Sequence, residues 1–136
     1  MMKNDLVKRI ATVEIPVSNL KSSIEWYGNM LGMKCLVELE KAAMLSFNES
    51  KGVPTVYLVE TADTNSVSFT NTNNGVVHSI IDFFTPNLEG FYNFLIDNGV
   101  EVGPLNVGPE GLGGFGFQDR DGNWISACNV VHSGQE

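Results

Sequence analysis

The sequence predicts an α+β fold made of two tandem βαβββ modules whose mixed sheets curve around a groove. Three observations carry that prediction. A strand, a capped helix and further short extended segments occur once before residue 61 and again after residue 75. The two passes superimpose at an offset of 66 or 67 residues, which places Gly32 on Gly99. Between them lies a polar stretch, TADTNSVSFTNTNNG, too rich in Thr, Asn and Ser to supply a core.

The first element is a strand over 9–17 (RIATVEIPV). Val13, Ile15 and Val17 alternate with Thr12, Glu14 and Pro16, and a period of two puts each set on its own face. SNLKSSIEWYGNMLGM follows as a helix. Ser18 or Asn19 caps its start, Leu20, Ile24, Tyr27 and Leu31 recur at helical spacing, and Gly32 supplies the left-handed exit. Strands are expected next over 34–40, 43–48 and 54–60, with the turn NESKG at 48–52 between the last two.

The second pass opens with a strand in VVHSIIDFF at 76–84. TPNLEGFYNFLIDNG is again a helix, apolar at Leu88, Phe91 and Leu95 and stopped by Asn98 and Gly99. Extended pieces are expected at 101–103, 114–118 and 124–130, with Asp119, Arg120, Asp121 and Gly122 turning the chain between the last two. The organisation is therefore one domain, 1–136, built from modules 9–60 and 76–131 joined by the linker 61–75, with a brief strand expected at 66–70. The loop 103–114 is long and rich in glycine and proline, a type that often lies at a functional site.

A chain of 136 residues, 43% of them apolar, buries enough surface to fold without a disulfide or structural metal. Cys35 and Cys128 are far apart and lack CxxC spacing, so both read as reduced thiols. No apolar run reaches membrane-spanning length and the first nine residues do not resemble a secretory signal, so a cytoplasmic protein is expected. The formal net charge of −8, with no Lys/Arg cluster after residue 9, argues against nucleic acid or an anionic membrane as partner. GLGGFG at 111–116 fits a dinucleotide glycine pattern, but a turn and a strand follow where that site needs a helix. NES at 48–50 matches a glycosylation acceptor, without significance in a cytoplasmic chain.

VEIPVSNLKSSIEWYGNMLGMK and FGFQDRDGNWISACN together resemble the vicinal oxygen chelate superfamily, the glyoxalase, bleomycin-resistance and extradiol-dioxygenase fold. The first matches its opening strand and helix, and the second its terminal Phe-x-Asp-Pro-Asp-Gly-Asn signature, with Arg120 in place of proline. The resemblance implies a ligand-binding groove, a homodimer in many members, and in metal-using members four His or Glu ligands. Here the first of those positions falls on Thr12 and the second on Leu58, or on Glu60 if the register shifts by one cavity-facing step. The third is His78 and the fourth Ser126. Threonine, leucine and serine do not replace imidazole and carboxylate donors, so no metal or other cofactor is expected at these positions.

Glu14 shares a strand face with Thr12 and, with His78, is the candidate pair for acid–base work. Thr12, Leu58, Glu60, Trp124, Ser126 and Cys128 are the candidate ligand-binding wall. Trp124, Ser126 and Cys128 share one alternation, and Trp124 would offer a flat apolar surface. Phe115 and Phe117 share one strand face, while Gly114 and Gly116 leave the other bare for a ligand or a loop. Trp26 and Tyr27 read as helix residues, with Tyr27 packed on the sheet. The function these features favour is binding of a small organic molecule, neutral or cationic in view of Glu14 and Glu60, without a tightly bound metal. Two alternatives stand beside it: a metal-dependent lyase, isomerase or dioxygenase rearranged around Glu14 and His78, and a non-catalytic interaction module whose cavity is filled by side chains such as Trp124 and Phe117.

Overall fold

The computed structural model describes residues 5–47, 53–63 and 65–135. The expected turn at 48–52, its NES triplet and the end of the strand expected at 43–48 lie outside the described residues. The chain forms two compact units, Met1–Asp63 and Thr64–Glu136.

In the first unit the order is β1 (Thr12–Val17), α1 (Leu20–Leu31), β2 (Lys34–Glu38), β3 (Ala42–Ser46) and β4 (Thr55–Glu60). These strands make one mixed sheet in the order β1-β4-β3-β2. The strand expected from residue 9 starts at Thr12, because its partner β4 starts at Thr55, directly after Pro54, which has no N–H for the ladder. Asn19 caps α1 by accepting from the Ser22 N–H at 3.0 Å. Gly32 ends it at φ 77°, with its N–H bonded to the Gly28 carbonyl. Every residue of β2 is exposed, and a register shift between Cys35 and Val37 breaks this edge strand.

The parallel pairing of β1 with β4 decides which side chains share a face, since residues in register point the same way. Ile15 pairs with Leu58 and Val17 with Glu60, whereas Thr12 pairs with Thr55 and Glu14 with Tyr57. Ile15, Val17, Leu45 and Leu58 are buried together with Leu20 and Tyr27 of α1. Leu58, expected on the groove wall with Thr12, therefore belongs to the helix-side core, where none of its surface is exposed. Tyr57 holds the position beside Glu14 instead.

The second unit repeats the plan. β7 (Asp82–Phe84), α2 (Leu88–Asp97), β8 (Asn106–Val107), β9 (Gly113–Gln118) and β10 (Trp124–Cys128) build a sheet ordered β7-β10-β9-β8, the same order as in the first unit. Asn87 caps α2 through the Gly90 N–H at 3.0 Å. Phe91 of α2 packs on Phe115 and Phe117 with ring centroids 5.9 and 5.7 Å apart. Leu88, Leu95, Ile125 and Ala127 are buried with them. The fold is thus α+β, with two βαβββ modules and open mixed sheets, and among the described residues no helix is long and apolar enough to cross a membrane.

Three segments differ from the sequence expectation. The strand expected over 76–84 is broken: β6 (Val77–His78) pairs with β5 (Phe69–Thr70) as a separate ribbon, and the sheet strand resumes only at Asp82. The cause is the asparagine-rich turn between them. Asn71 Oδ1 accepts from the Asn73 N–H, Asn74 Oδ1 accepts from the Val76 N–H, and the Asn71 N–H bonds the Val76 carbonyl, closing a local hairpin that captures residues 77–78. The loop over 103–114 contains β8, which pairs with the start of β9. The strand expected at 101–103 is a single bridge from Val102 to Phe117.

Replacing Leu58 by alanine checks the face assignment. A sealed core position predicts a loss of about 2–5 kcal/mol in denaturant unfolding. A solvent-facing wall position would change stability by no more than about 0.5 kcal/mol.

Candidate functional site

The face of the second sheet opposite α2 is where the sequence and the pairing leave space. Trp124 is in register with Gln118, Ser126 with Gly116, and Cys128 with Gly114, while Ser126 also aligns with Asp82. These side chains therefore share one face, turned away from the Phe115, Phe117, Ile125 and Ala127 core. Two glycines keep it low. A Cβ on Gly116 would stand 3.2 Å from Cε3 and Cζ3 of Trp124, and one on Gly114 would come within 2.6 Å of the Ala127 carbonyl oxygen. The indole thus sits over a glycine floor that no larger residue supplies without displacing it.

The result is a cleft of about 530 Å³ whose lining includes His78, Asp82, Asn106, Trp124, Ser126, Cys128 and His132. That volume lies within the range of ordinary small-molecule sites. Phe117 is fully buried on the helix side and takes no part in filling it.

Polar groups gather at one end. Ser126 Oγ reaches the Ile81 carbonyl at 3.1 Å and Asp82 Oδ1 at 3.0 Å, and the Ser79 hydroxyl lies 2.8 Å from it. Asp82 Oδ2 stands 3.9 Å from His132 Nε2. Cys128 Sγ stands 3.9 Å from the same nitrogen. Burial pushes the Cys128 thiol above its ordinary range, and the carboxylate of Asp82 adds to the push. His78 is half-buried, stacked on Phe69 at 5.2 Å between centroids, with Asn71 Nδ2 3.5 Å from its Nε2.

Of the residues expected in the first unit, Thr12 and Glu60 make hydrogen bonds within that unit. Thr12 Oγ1 donates to the Thr55 carbonyl at 3.0 Å, and the Thr55 hydroxyl lies 2.8 Å away. Glu14 is exposed on the same face as Thr12. Glu60 lies on the helix side with Leu58. Its Oε2 accepts from the Leu20 N–H at 2.8 Å, at the start of α1, and its Oε1 pairs with Lys41 Nζ at 2.9 Å. Lys41 and the Leu20 N–H hold this carboxyl below the usual carboxylate range. The expected catalytic pair is divided between the two units, Glu14 in the first and His78 in the second.

Donor chemistry at the four positions implied for a family metal does not fit such an ion. Only His78 keeps an imidazole there; Thr12 is engaged with Thr55, Leu58 is hydrocarbon inside the core, Glu60, the alternative to Leu58, has both oxygens committed, and Ser126 offers a hydroxyl already hydrogen-bonded. Sequence reasoning missed Asp82, Ser79 and His132. The first becomes visible only through the parallel register with Ser126, and His132 stands beyond the last strand, where no periodicity operates.

A family model for the "Glyoxalase/Bleomycin resistance protein/Dioxygenase superfamily" matches residues 9–127. The chain belongs to this superfamily. None of the curated proteins compared with it matches. Similar solved structures include the genomically encoded fosfomycin resistance protein FosX of Listeria monocytogenes, at 13% identity over 90% of this chain and 93% of that one, TM-score 0.69. TnmS3, an antibiotic binding protein from a Streptomyces species, is 18% identical over 92% and 98% of the two chains, TM-score 0.69. Lactoylglutathione lyase of Agrobacterium tumefaciens is 13% identical over 91% and 95%, TM-score 0.65. At these identities the superfamily likeness is one of fold, and the same fold carries an enzyme and a binding protein.

The role of Glu60 is testable by pH. Because its folded pKa is depressed, the stability it contributes is present above the unfolded carboxylate pKa and is lost as pH falls through the folded value. Unfolding midpoints at neutral pH are expected to rank wild type above Glu60→Gln above Glu60→Ala. The advantage of wild type over Glu60→Gln is expected to vanish on the acid side of the carboxylate range.

Proposed function

We propose that this superfamily member binds a small, planar organic molecule, neutral or cationic, in the cleft of the second unit. The observation that carries the reading is the Trp124 indole set over Gly116 beside an open cleft of about 530 Å³. A flat apolar ring on a low floor suits stacking, worth about 0.5–1.5 kcal/mol beyond the area buried. His78, Ser126 and Cys128 are the wall groups that would orient the ligand, and they line the cleft with Trp124. The Asp82 carboxylate and the overall charge of −8 disfavour an anion. Binding in this reading draws on ring stacking and hydrogen bonds and uses no ion at the four family positions. The antibiotic binding named for one relative of the same fold, TnmS3, is compatible with it.

Calorimetric titration with 9-aminoacridine, a planar cation, and with a naphthalenesulfonate, a planar anion, tests the proposal. Saturable binding of the cation, weaker binding of the anion, and about a tenfold loss of cation affinity in Trp124→Ala are expected. Absence of saturable binding by the cation, or an affinity unchanged in both Trp124→Ala and Gly116→Val, would overturn it.

A further inference from the structure

Asp82, Cys128 and His132 place a carboxylate oxygen, a thiol sulfur and an imidazole nitrogen within 4.8 Å of one another. These come from two pieces of chain: Asp82 begins β7, Cys128 ends β10, and His132 stands four residues further on. We propose that the three form a binding site for a divalent cation of the Zn²⁺ class, with a fourth coordination position facing the cleft. The site is independent of whether the cleft holds an organic ligand.

Geometry separates this reading from its nearest competitor, a nucleophilic thiol activated by a histidine and an acid. Such a relay needs the thiol and the carboxylate at opposite nitrogens of the ring, one giving a proton and the other orienting it. Here both contacts fall on Nε2, with Asp82 Oδ2 and Cys128 Sγ each 3.9 Å from that one atom. Donors that converge on a point are arranged for an ion.

The spacing is that of a slightly open site. Around Zn²⁺, bonds of roughly 2.0–2.3 Å at tetrahedral angles put neighbouring donors about 3.3–3.6 Å apart. The two 3.9 Å separations to the exposed His132 ring lie a few tenths of an ångström outside that range, and all three donor atoms are within 4.8 Å of one another. A support for the ligand carboxylate is already in place. Asp82 Oδ1 is 3.0 Å from the Ser126 hydroxyl, and this contact fixes the group so that Oδ2 faces His132. One sulfur, one nitrogen and one oxygen select Zn²⁺ or Co²⁺ over Mg²⁺ or Ca²⁺, which prefer sets made of oxygen alone. All three residues line the cleft, so water or a donor atom of a bound molecule can complete the sphere from that side.

Untagged, metal-stripped protein is to be titrated with Co²⁺ followed by optical absorption, and with Zn²⁺ by equilibrium dialysis. One ion per chain and a thiolate-to-cobalt charge-transfer band are expected. Cys128→Ser is expected to abolish the band, Cys35→Ser to leave it intact, and His132→Ala to weaken Zn²⁺ binding by at least about tenfold. His132 is exposed, so its variant keeps the fold, which circular dichroism verifies. A wild-type protein without the band, a band that survives Cys128→Ser, or Zn²⁺ affinity unchanged in His132→Ala would each overturn the site.

Discussion

The parallel pairing of the first strand of each module with its last organises the molecule. β1 lies beside β4 and β7 beside β10, so the connection between the two partners must pass through a helix and an antiparallel excursion. The helix covers one face of the sheet, and registered residues fall into two sets that cannot be exchanged without shifting the whole strand by one place. In the first unit that choice sends Ile15, Val17 and Leu58 under α1 and leaves Thr12, Glu14 and Tyr57 on the other side. In the second it sends Ile125 and Ala127 under α2 and leaves Trp124, Ser126 and Cys128 facing the cleft.

The two open faces then diverge chemically on the same scaffold. In the first unit the face carries hydroxyls bonded to one another and to backbone, and the ion pair of Glu60 with Lys41, joined by the Leu20 N–H, lies on the helix side. That carboxylate serves the start of α1, where unpaired N–H groups favour negative charge. In the second unit the glycine pair at 114 and 116 removes side chains from β9 and makes room for the indole of β10. An arrangement of this kind places a ring, two hydroxyls, a thiol, a carboxylate and two imidazoles around one concavity, although of the positions specified for a family metal only His78 retains a donor of the expected kind.

The parts of this arrangement legible in the sequence were those set by local pattern. Asn19 and Gly32 bracket α1 because capping depends on near neighbours, and the alternation of Trp124, Ser126 and Cys128 reads directly as one face. Bare glycines opposite Phe115 and Phe117 were equally readable. Leu58 and Glu60 were not, since alternation within β4 does not say which of its faces meets the helix; only its register with β1 does. His78 looked like a sheet residue because the turn-forming power of Asn71 and Asn74 was read as linker composition, whereas it nucleates a hairpin. Asp82 meets Cys128 and His132 across 46 and 50 residues of sequence, beyond the reach of any periodicity.

The alternation of β10 is the claim on which the cleft and everything assigned to it rests. It is tested most directly by thiol accessibility in a background lacking Cys35 and Cys128, comparing Ser126→Cys with Ala127→Cys. Rapid labelling of the first by a small maleimide in the folded protein, with the second protected until unfolding, is the expected result. Equal rates at the two positions, or protection of the first alone, would contradict it.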